Sequence, residues 1–434
     1  ILDRSRDEWE TESEAAGRLP HTLREQEPPT GSLTEDVERF INGQVDAQFD
    51  DEHAGWGTEE KFPLPATVEF ALKRQREKAV ATLDALEANL FDDHDGGFFR
   101  HASAADWTEP TREKLLDVNA GLLRAFANAY LVTGRDEYRQ VADRTVDYLV
   151  DTLWTGDGFG NSQQPGAYFE RSADERATME APPIDASVYT PTNALAADAL
   201  AWYTAYTDDE RAGDHAAATL GRLETDRVDD GVVAHTDDAE TAGYLTAQAA
   251  ALRAFATAGQ VLDAEYVATA TAIADATIDR LQTDSGAFRD GPAEGAGLLD
   301  EPLYPLDDNA RVADALVDLY YLTDEPRFYD AAETAVEAFA GAADKMGPQV
   351  AHYGTAAARV LRRPLVIGVG TETGADLHRA ALRMADHEKV VVPAAETVEE
   401  GRAALLTADG ARGDAGDPAA LAALVAEYEP TATR

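Results

Sequence analysis

The sequence predicts an all-α toroid of six helical hairpins, an (α/α)6 barrel, followed by a small α/β appendage. Two observations predict it. The first is a recurring turn that ends in Gly and an apolar residue. It occurs as Asp95-Gly96-Gly97-Phe98, Asp157-Gly158-Phe159, Asp230-Gly231-Val232 and Ser285-Gly286-Ala287-Phe288, with Gly97, Gly158, Gly231 and Gly286 spaced 61, 73 and 55 residues apart. The second is what lies between the turns: long Ala/Leu-rich stretches with helical periodicity, several opening near Asn119, Asn193, Gln248 or Asn309. A unit of two helices and one polar loop cannot bury its apolar face alone and must stack on its neighbours.

In order along the chain, residues 1–30 are polar, with helical spacing around Trp9 and Leu19, and Pro28-Pro29 breaks that pattern. Ser32–Glu35 resembles a capping box that opens a helix over 34–48. A loop with Trp56 and Lys61-Phe62-Pro63 follows. Helical periodicity then predicts helices at 66–75, 77–90, 112–132, 136–154, 192–207, 209–225, 243–259, 263–283, 308–323, 325–343 and 348–361. Twelve antiparallel helices make six hairpins, with inner helices around a cavity and outer helices as a shell. After Pro364 the character changes. Leu365–Val369 and Val390–Val392 read as strands, Leu377–Met384 and Pro418–Tyr428 as helices. The expected organisation is therefore 1–30 as a linker, 31–361 as the toroid and 362–434 as an α/β tail.

Composition narrows function. The formal net charge is −45, from 82 acidic and 37 basic residues, of which 31 are Arg and 6 Lys. A charge this large repels itself unless salt screens it, so the chain reads as adapted to a high-salt cytoplasm. No basic stripe exists to neutralise phosphates, which excludes nucleic acid as a partner. No apolar run reaches the roughly 18–20 residues that span a bilayer, so no membrane partner is expected either. With no Cys there is no disulfide and no thiolate chemistry. The chain opens at Ile1, as a fragment or a processed product would.

Neither a cofactor nor a metal is expected. Gly368-Val369-Gly370…Gly374 misses the dinucleotide spacing by one and reads as a turn. Asp92-Asp93-His94-Asp95-Gly96-Gly97 looks like a calcium loop, but the twelfth position from Asp93 is Ala104 and not Glu. No His-x-x-x-His occurs. In a toroid the N-terminal ends of the inner helices line the cavity, which makes their polar residues the candidates. Asp117, Asp185 and Asp308 are the catalytic carboxylates in that reading, since glycosidic chemistry needs a pair roughly 5–9.5 Å apart. Asn119, Asn193, Gln248 and Asn309 would bind hydroxyls, although Asp and Asn are also the preferred helix caps. Trp56, Trp107 and Tyr189 could stack on sugar rings or simply anchor loops. A His-based proton transfer has His94, His101, His235 and His352 to draw on.

These residues resemble a family that joins an N-terminal thioredoxin-like domain to an (α/α)6 toroid akin to six-hairpin glycosidases and N-acylglucosamine 2-epimerases. YyaL and the spermatogenesis-associated thioredoxin-like proteins represent it. Its Gly-Gly-Phe-Gly…Pro-Lys-Phe-Pro step is echoed by Gly55-Trp56-Gly57…Lys61-Phe62-Pro63. Its long central motif is matched by Gly96-Gly97-Phe98-Phe99-Arg100-His101…Trp107…Pro110-Thr111-Arg112-Glu113-Lys114-Leu115-Leu116-Asp117-Val118-Asn119-Ala120. Further matches are Gly160-Asn161-Ser162-Gln163, Asp185…Tyr189…Asn193-Ala194, Pro305-Leu306-Asp307-Asp308-Asn309-Ala310 and Arg363-Pro364-Leu365-Val366-Ile367. The resemblance adds Lys61, Arg100, Glu113 and Lys114 to the candidate ligand-binding residues. It also implies that residues 3–26 are the linker helix after a thioredoxin-like domain that this chain lacks. The departures are specific: the family's two motif histidines fall on Phe99 and Thr111, its aspartate on Val118, and its late cysteine pair is absent near Thr407–Gly413.

Two functions follow. One is a carbohydrate-active or sugar-derivative-binding toroid, hydrolase- or epimerase-like if it turns over. The other is a non-catalytic toroid that binds or positions a thioredoxin-like module, which the lost histidines favour. An open cavity with paired carboxylates would support the first. A cavity plugged by Phe98, Phe99 and Trp107 would support the second.

Overall fold

The computed structural model describes residues 28–292 and 303–428; the expected linker helix at 3–26 lies outside them. Twelve long helices form the body: α1 (Glu35–Ala47), α2 (Pro65–Arg74), α3 (Arg76–Leu90), α4 (Leu116–Thr133), α5 (Asp136–Tyr148), α6 (Thr190–Thr207), α7 (Glu210–Arg227), α8 (Leu245–Val261), α9 (Tyr266–Leu281), α10 (Leu306–Thr323), α11 (Pro326–Ala340) and α12 (Ala351–Arg362). The even-numbered helices form the inner ring, each packing on the next in the order α2, α4, α6, α8, α10, α12 and back to α2. Each odd-numbered helix covers its inner partner from outside. The ring closes non-sequentially, with α1 lying against α12 from the far end of the toroid.

Composition explains the two layers. An inner helix has neighbours on both sides and a shell behind it, so small residues are favoured all round it. In α8 every residue except Thr246 is buried. The outer helices bury one stripe only, as in α5, where Tyr138, Val141, Ala142, Thr145 and Val146 face in. Inner helices pass to outer ones through tight turns in the left-handed region at Gly134, Asp208 and Asp324 (φ 67°, 61° and 57°). The return connections are long and carry the recurring turns, each closed by an antiparallel bridge such as Phe91 to Phe98, Trp154 to Phe159 and Gln282 to Phe288. The turn glycines let the backbone press against the next outer helix. At Gly231 (φ 75°) a Cβ would stand 2.0 Å from the Ala272 carbonyl oxygen, and at Gly286 (φ 88°) 2.5 Å from that of Thr334.

Two expectations need correction. The helix expected from 112 starts at Leu116, because Lys114–Leu115 pair instead with Ser162–Gln163, which pair in turn with Ile184–Asp185. The helix expected to run through 154 ends at Tyr148 and continues as a wider π-type turn over Leu149–Leu153.

The tail holds β1 (Val366–Val369), α13 (Asp376–Leu382), β2 (Val390–Val392), β3 (Ala403–Thr407), β4 (Gly410–Ala415) and α14 (Pro418–Tyr428). Its sheet order is β4-β3-β1-β2, with β1 and β2 parallel and the other pairs antiparallel. The β3–β4 hairpin is absent from the expected strand–helix–strand–helix order. Its second strand is exposed up to Ala415 and carries Gly410 and Gly413, so no apolar alternation announces it. The tail is not a separate globule. Ile367, Val391, Leu377 and Leu405 belong to the same buried cluster as the toroid core.

Candidate functional site in the toroid lumen

The polar residues near the start of the inner helices divide into clamps and rim. Asn119, Asn193 and Asn309 each occupy the fourth position of their helix and grip one turn residue through both its backbone groups. The Phe98 N–H donates to Asn119 Oδ1 (2.6 Å) and Asn119 Nδ2 to the Phe98 carbonyl (3.1 Å). Asn193 does the same to Phe159 (2.8 and 3.0 Å), and Asn309 to Phe288 (2.7 and 2.8 Å). Gln248 holds the corresponding turn through the Val233 N–H and the Gly231 carbonyl. All four amides are buried and their hydrogen-bonding capacity is spent on backbone or on Thr277. Their repetition marks the junction of turn and inner helix.

The other candidates are scattered. Asp117 is exposed and accepts from the Val118 N–H of its own first turn (2.8 Å). Asp185 is half-buried, and its bonds from Ser187 hold its carboxyl below the usual range. Lys61 is fully buried, donating to Asp50 (2.7 Å) and the Ala54 carbonyl, with the Trp107 ring alongside. Trp56 and Trp107 are buried anchors whose indole N–H groups donate to the Val45 and His53 carbonyls. Arg100 pairs with Glu113 (3.1 Å). Lys114 is caged by Phe99, Tyr148 and Phe169, bonded to Asp92 (2.8 Å), which also takes Arg176. Burial lowers the Lys114 ammonium despite Asp92. Tyr189 is half-buried beside His235. Phe98, Phe99 and Trp107 pack within these loops and do not line the lumen cavity. Of the family's lost histidine positions, Thr111 lies 3.4 Å from His101 Nε2.

What fills the lumen is a set of charges that the sequence reading missed. The ninth residues of α4, α6, α8, α10 and α12 are Arg124, Asp198, Arg253, Asp314 and Arg359, and α2 contributes Glu69 from its fifth. Around the ring the signs therefore alternate: Glu69, Arg124, Asp198, Arg253, Asp314, Arg359. Arg124 pairs with Glu69 (3.2 Å) and Asp198 (2.7 Å), and Arg253 with Asp198 (3.6 Å) and with Asp314. Arg359 pairs with Asp314 and with Asp318 one turn on. Thr257 donates to Asp198 and Asn128 to Glu69. Burial pushes the Asp314 carboxyl up, but Arg359 and Arg253 outweigh it and hold the group well below the usual range. Glu69 is the weak member, its carboxyl raised by burial despite Arg124. A signal was available: four of these charges lie five residues after a clamp amide (Asn119, Asn193, Gln248, Asn309), alternating in sign within apolar helices.

The tail closes the lumen at the C-terminal ends of the inner helices. Gln260 of α8 receives it, accepting from the Val391 N–H (3.0 Å) on its side chain and meeting His378 Nε2 (2.8 Å) at its carbonyl. The preceding segment enters the ring. His387 Nε2 meets the Glu69 carbonyl (3.0 Å), Glu388 pairs with Arg74 (2.6 Å) and Lys73 (3.2 Å), and Lys389 lies over the Trp202 and Tyr206 rings. Burial lowers Lys389 to about 7 and His387 to about 4. A cavity of about 20 Å³ remains, room for roughly one water.

At the opposite, N-terminal mouth three consecutive inner helices present Thr246, Asp308 with Arg311, and His352, the second residue of α12. Asp308 accepts from Thr246 (2.6 Å) and Arg311 (2.9 Å). His352 Nε2 is 3.8 Å from Asp314 and has no hydrogen-bond partner among the described residues. Burial lowers its pKa to about 4, so the imidazole is neutral near pH 7. Among the described residues no cluster of three His, Asp or Glu could hold a metal, and no helix is long and apolar enough to cross a membrane.

No family model matches the chain. It is 26% identical over 159 residues to spermatogenesis-associated protein 20 of Mus musculus, 34% of this chain and 19% of the relative. Over 85 residues it is 29% identical to cellobiose 2-epimerase of Bacteroides fragilis, 19% of this chain and 22% of the relative. The chain thus matches about a fifth of the length of these curated relatives. A sugar epimerase from a ruminal bacterium superposes with TM-score 0.56 at 14% identity, over 70% of this chain and 83% of that one. The unsaturated glucuronyl hydrolase of Bacillus sp. GL1 superposes at 0.52 and 18% identity, over 76% and 95%. The chain is a distant relative of spermatogenesis-associated protein 20, and its fold is the six-hairpin toroid of sugar epimerases and glycosidases.

Proposed function

We propose that the toroid binds a sugar or sugar derivative at the N-terminal mouth of its lumen, with His352 as the group that can move a proton. The observation that carries this reading is a neutral imidazole whose Nε2 has no hydrogen-bond partner among the described residues, within electrostatic reach of Arg311, which pairs with Asp308 as Thr246 does. A neutral imidazole accepts a proton, and Asp314 at 3.8 Å stabilises the imidazolium that results. Asp308, held by Thr246 and Arg311, is placed to accept a hydroxyl hydrogen bond. The relatives and neighbours named for sugar chemistry support the ligand class. They do not supply a reaction, and none is assigned.

The test is a thermal-shift screen in molar KCl against mono- and disaccharides, sugar phosphates and N-acyl sugars. A ligand at 100 times its dissociation constant adds about 2.7 kcal/mol of stability. The expected result is a hit that Asp308→Ala abolishes. For any hit that is an aldose, NMR in D2O should show deuterium entering beside the carbonyl, and His352→Gln should stop it while binding persists. A flat screen sinks this reading. It leaves a non-catalytic toroid that positions a thioredoxin-like module, which the nearly filled lumen supports. Copurification of a thioredoxin-like protein with the chain would then be the expected outcome.

A further inference from the structure

We infer that the lumen cavity is a binding site for a single small anion with the chemistry of chloride. Arg124, Arg253 and Arg359 line the same lumen cavity, with His352 at its edge toward the N-terminal mouth. Among the described residues the Nε–H groups of the three arginines are buried and find no hydrogen-bond acceptor. Arg124 Nε lies 3.2 Å from Glu69 and Arg253 Nε 3.6 Å from Asp198, but neither contact is aligned as a bond. Buried donors without acceptors are rare in proteins and point to something that accepts from them. All three belong to guanidinium groups, whose N–H donors seek an anion.

The charge on the opposite side is already engaged. Asp314 is taken by Arg253 and Arg359, Asp318 by Arg359, and Glu388 by Arg74 and Lys73. Glu69 meets Arg124 and Asn128, and burial raises its carboxyl. Lys389, which burial lowers to about 7, lies at the floor of the cavity. Size sets the occupant: about 20 Å³ takes one water-sized particle and excludes carboxylates, phosphates and sugars. The site therefore stands whether or not the mouth takes a sugar.

The full chain would be melted at fixed potassium concentration while methanesulfonate is replaced stepwise by chloride, and separately by bromide. The expected result is a midpoint that climbs linearly with log chloride once the site is half filled, with bromide doing the same. Crystals grown in bromide should show an anomalous peak among the three guanidinium groups. Ala66→Val narrows the cavity and touches no charge, so it should fold and lose the chloride response. Equal midpoints in chloride and methanesulfonate, or no bromide peak in the lumen, would mean that a water sits there and would overturn the inference. A chloride response undiminished in Ala66→Val would place the ion elsewhere and overturn it equally.

Discussion

An asparagine at the fourth position of an inner helix makes two bonds to one turn residue, and losing it strands both. Asn309→Ala leaves the Phe288 N–H and carbonyl buried without their partner. At roughly 1–3 kcal/mol for each stranded group, about 2–6 kcal/mol of stability should be lost, read as a shift in urea midpoint in molar KCl. Asp117→Ala, at an exposed carboxylate, should stay within about 0.5 kcal/mol. The lumen histidines make a separate prediction. Burial holds His352 and His387 at about 4 in the fold, against about 6.5 for a free imidazole. Between those values the unfolded chain binds protons that the folded chain does not, so unfolding is favoured as pH falls. Their contribution is whole above about pH 6.5 and drains away toward pH 4. Urea midpoints should fall over that window, and less steeply in His387→Gln. An unchanged slope in the variant would remove His387 from the account.

Helices were legible because burial imposes their period, and the least legible parts are those fixed by distant pairing. The register of α6 through α12 follows from Ala/Leu spacing alone. Residues 110–115 could not be read that way, since Lys114 and Leu115 are strands only by virtue of Ser162 and Gln163. The β3–β4 hairpin failed for the opposite reason: its exposed, Gly-containing strand has no apolar face to display. The clamp amides were visible as a repeat, but a repeat of Asn does not say whether it faces a ligand or a backbone. The charge ring was visible only as a fixed offset, which gains meaning once the six helices are known to face one axis. Breaking that ring by one member should be severe. Asp198→Asn leaves Arg124 and Arg253 short of a carboxylate in a buried setting, and about 3–5 kcal/mol of stability should go. Asp185→Asn, half-buried and bonded to its own turn, is the control that should cost far less.

For the whole molecule, a net charge of −45 makes salt a structural component. Raising KCl from ~0.1 to ~2 M shortens the screening length from about 10 Å to under 3 Å, so the thermal midpoint should rise. Identical melting curves at the two concentrations would refute the salt-adapted reading. The buried ring is shielded from that screening, so at fixed chloride, with potassium methanesulfonate making up the salt, variants in it should lose as much stability at high salt as at low. The ring also does arithmetic. Signs that alternate around a closed circle return to their starting value only when the number of members is even. With five or seven hairpins, two like charges would be forced side by side in a dry interior. Parity thus forbids an odd toroid, and a slip of any one hairpin out of the circle is penalised at the seam where its neighbours meet.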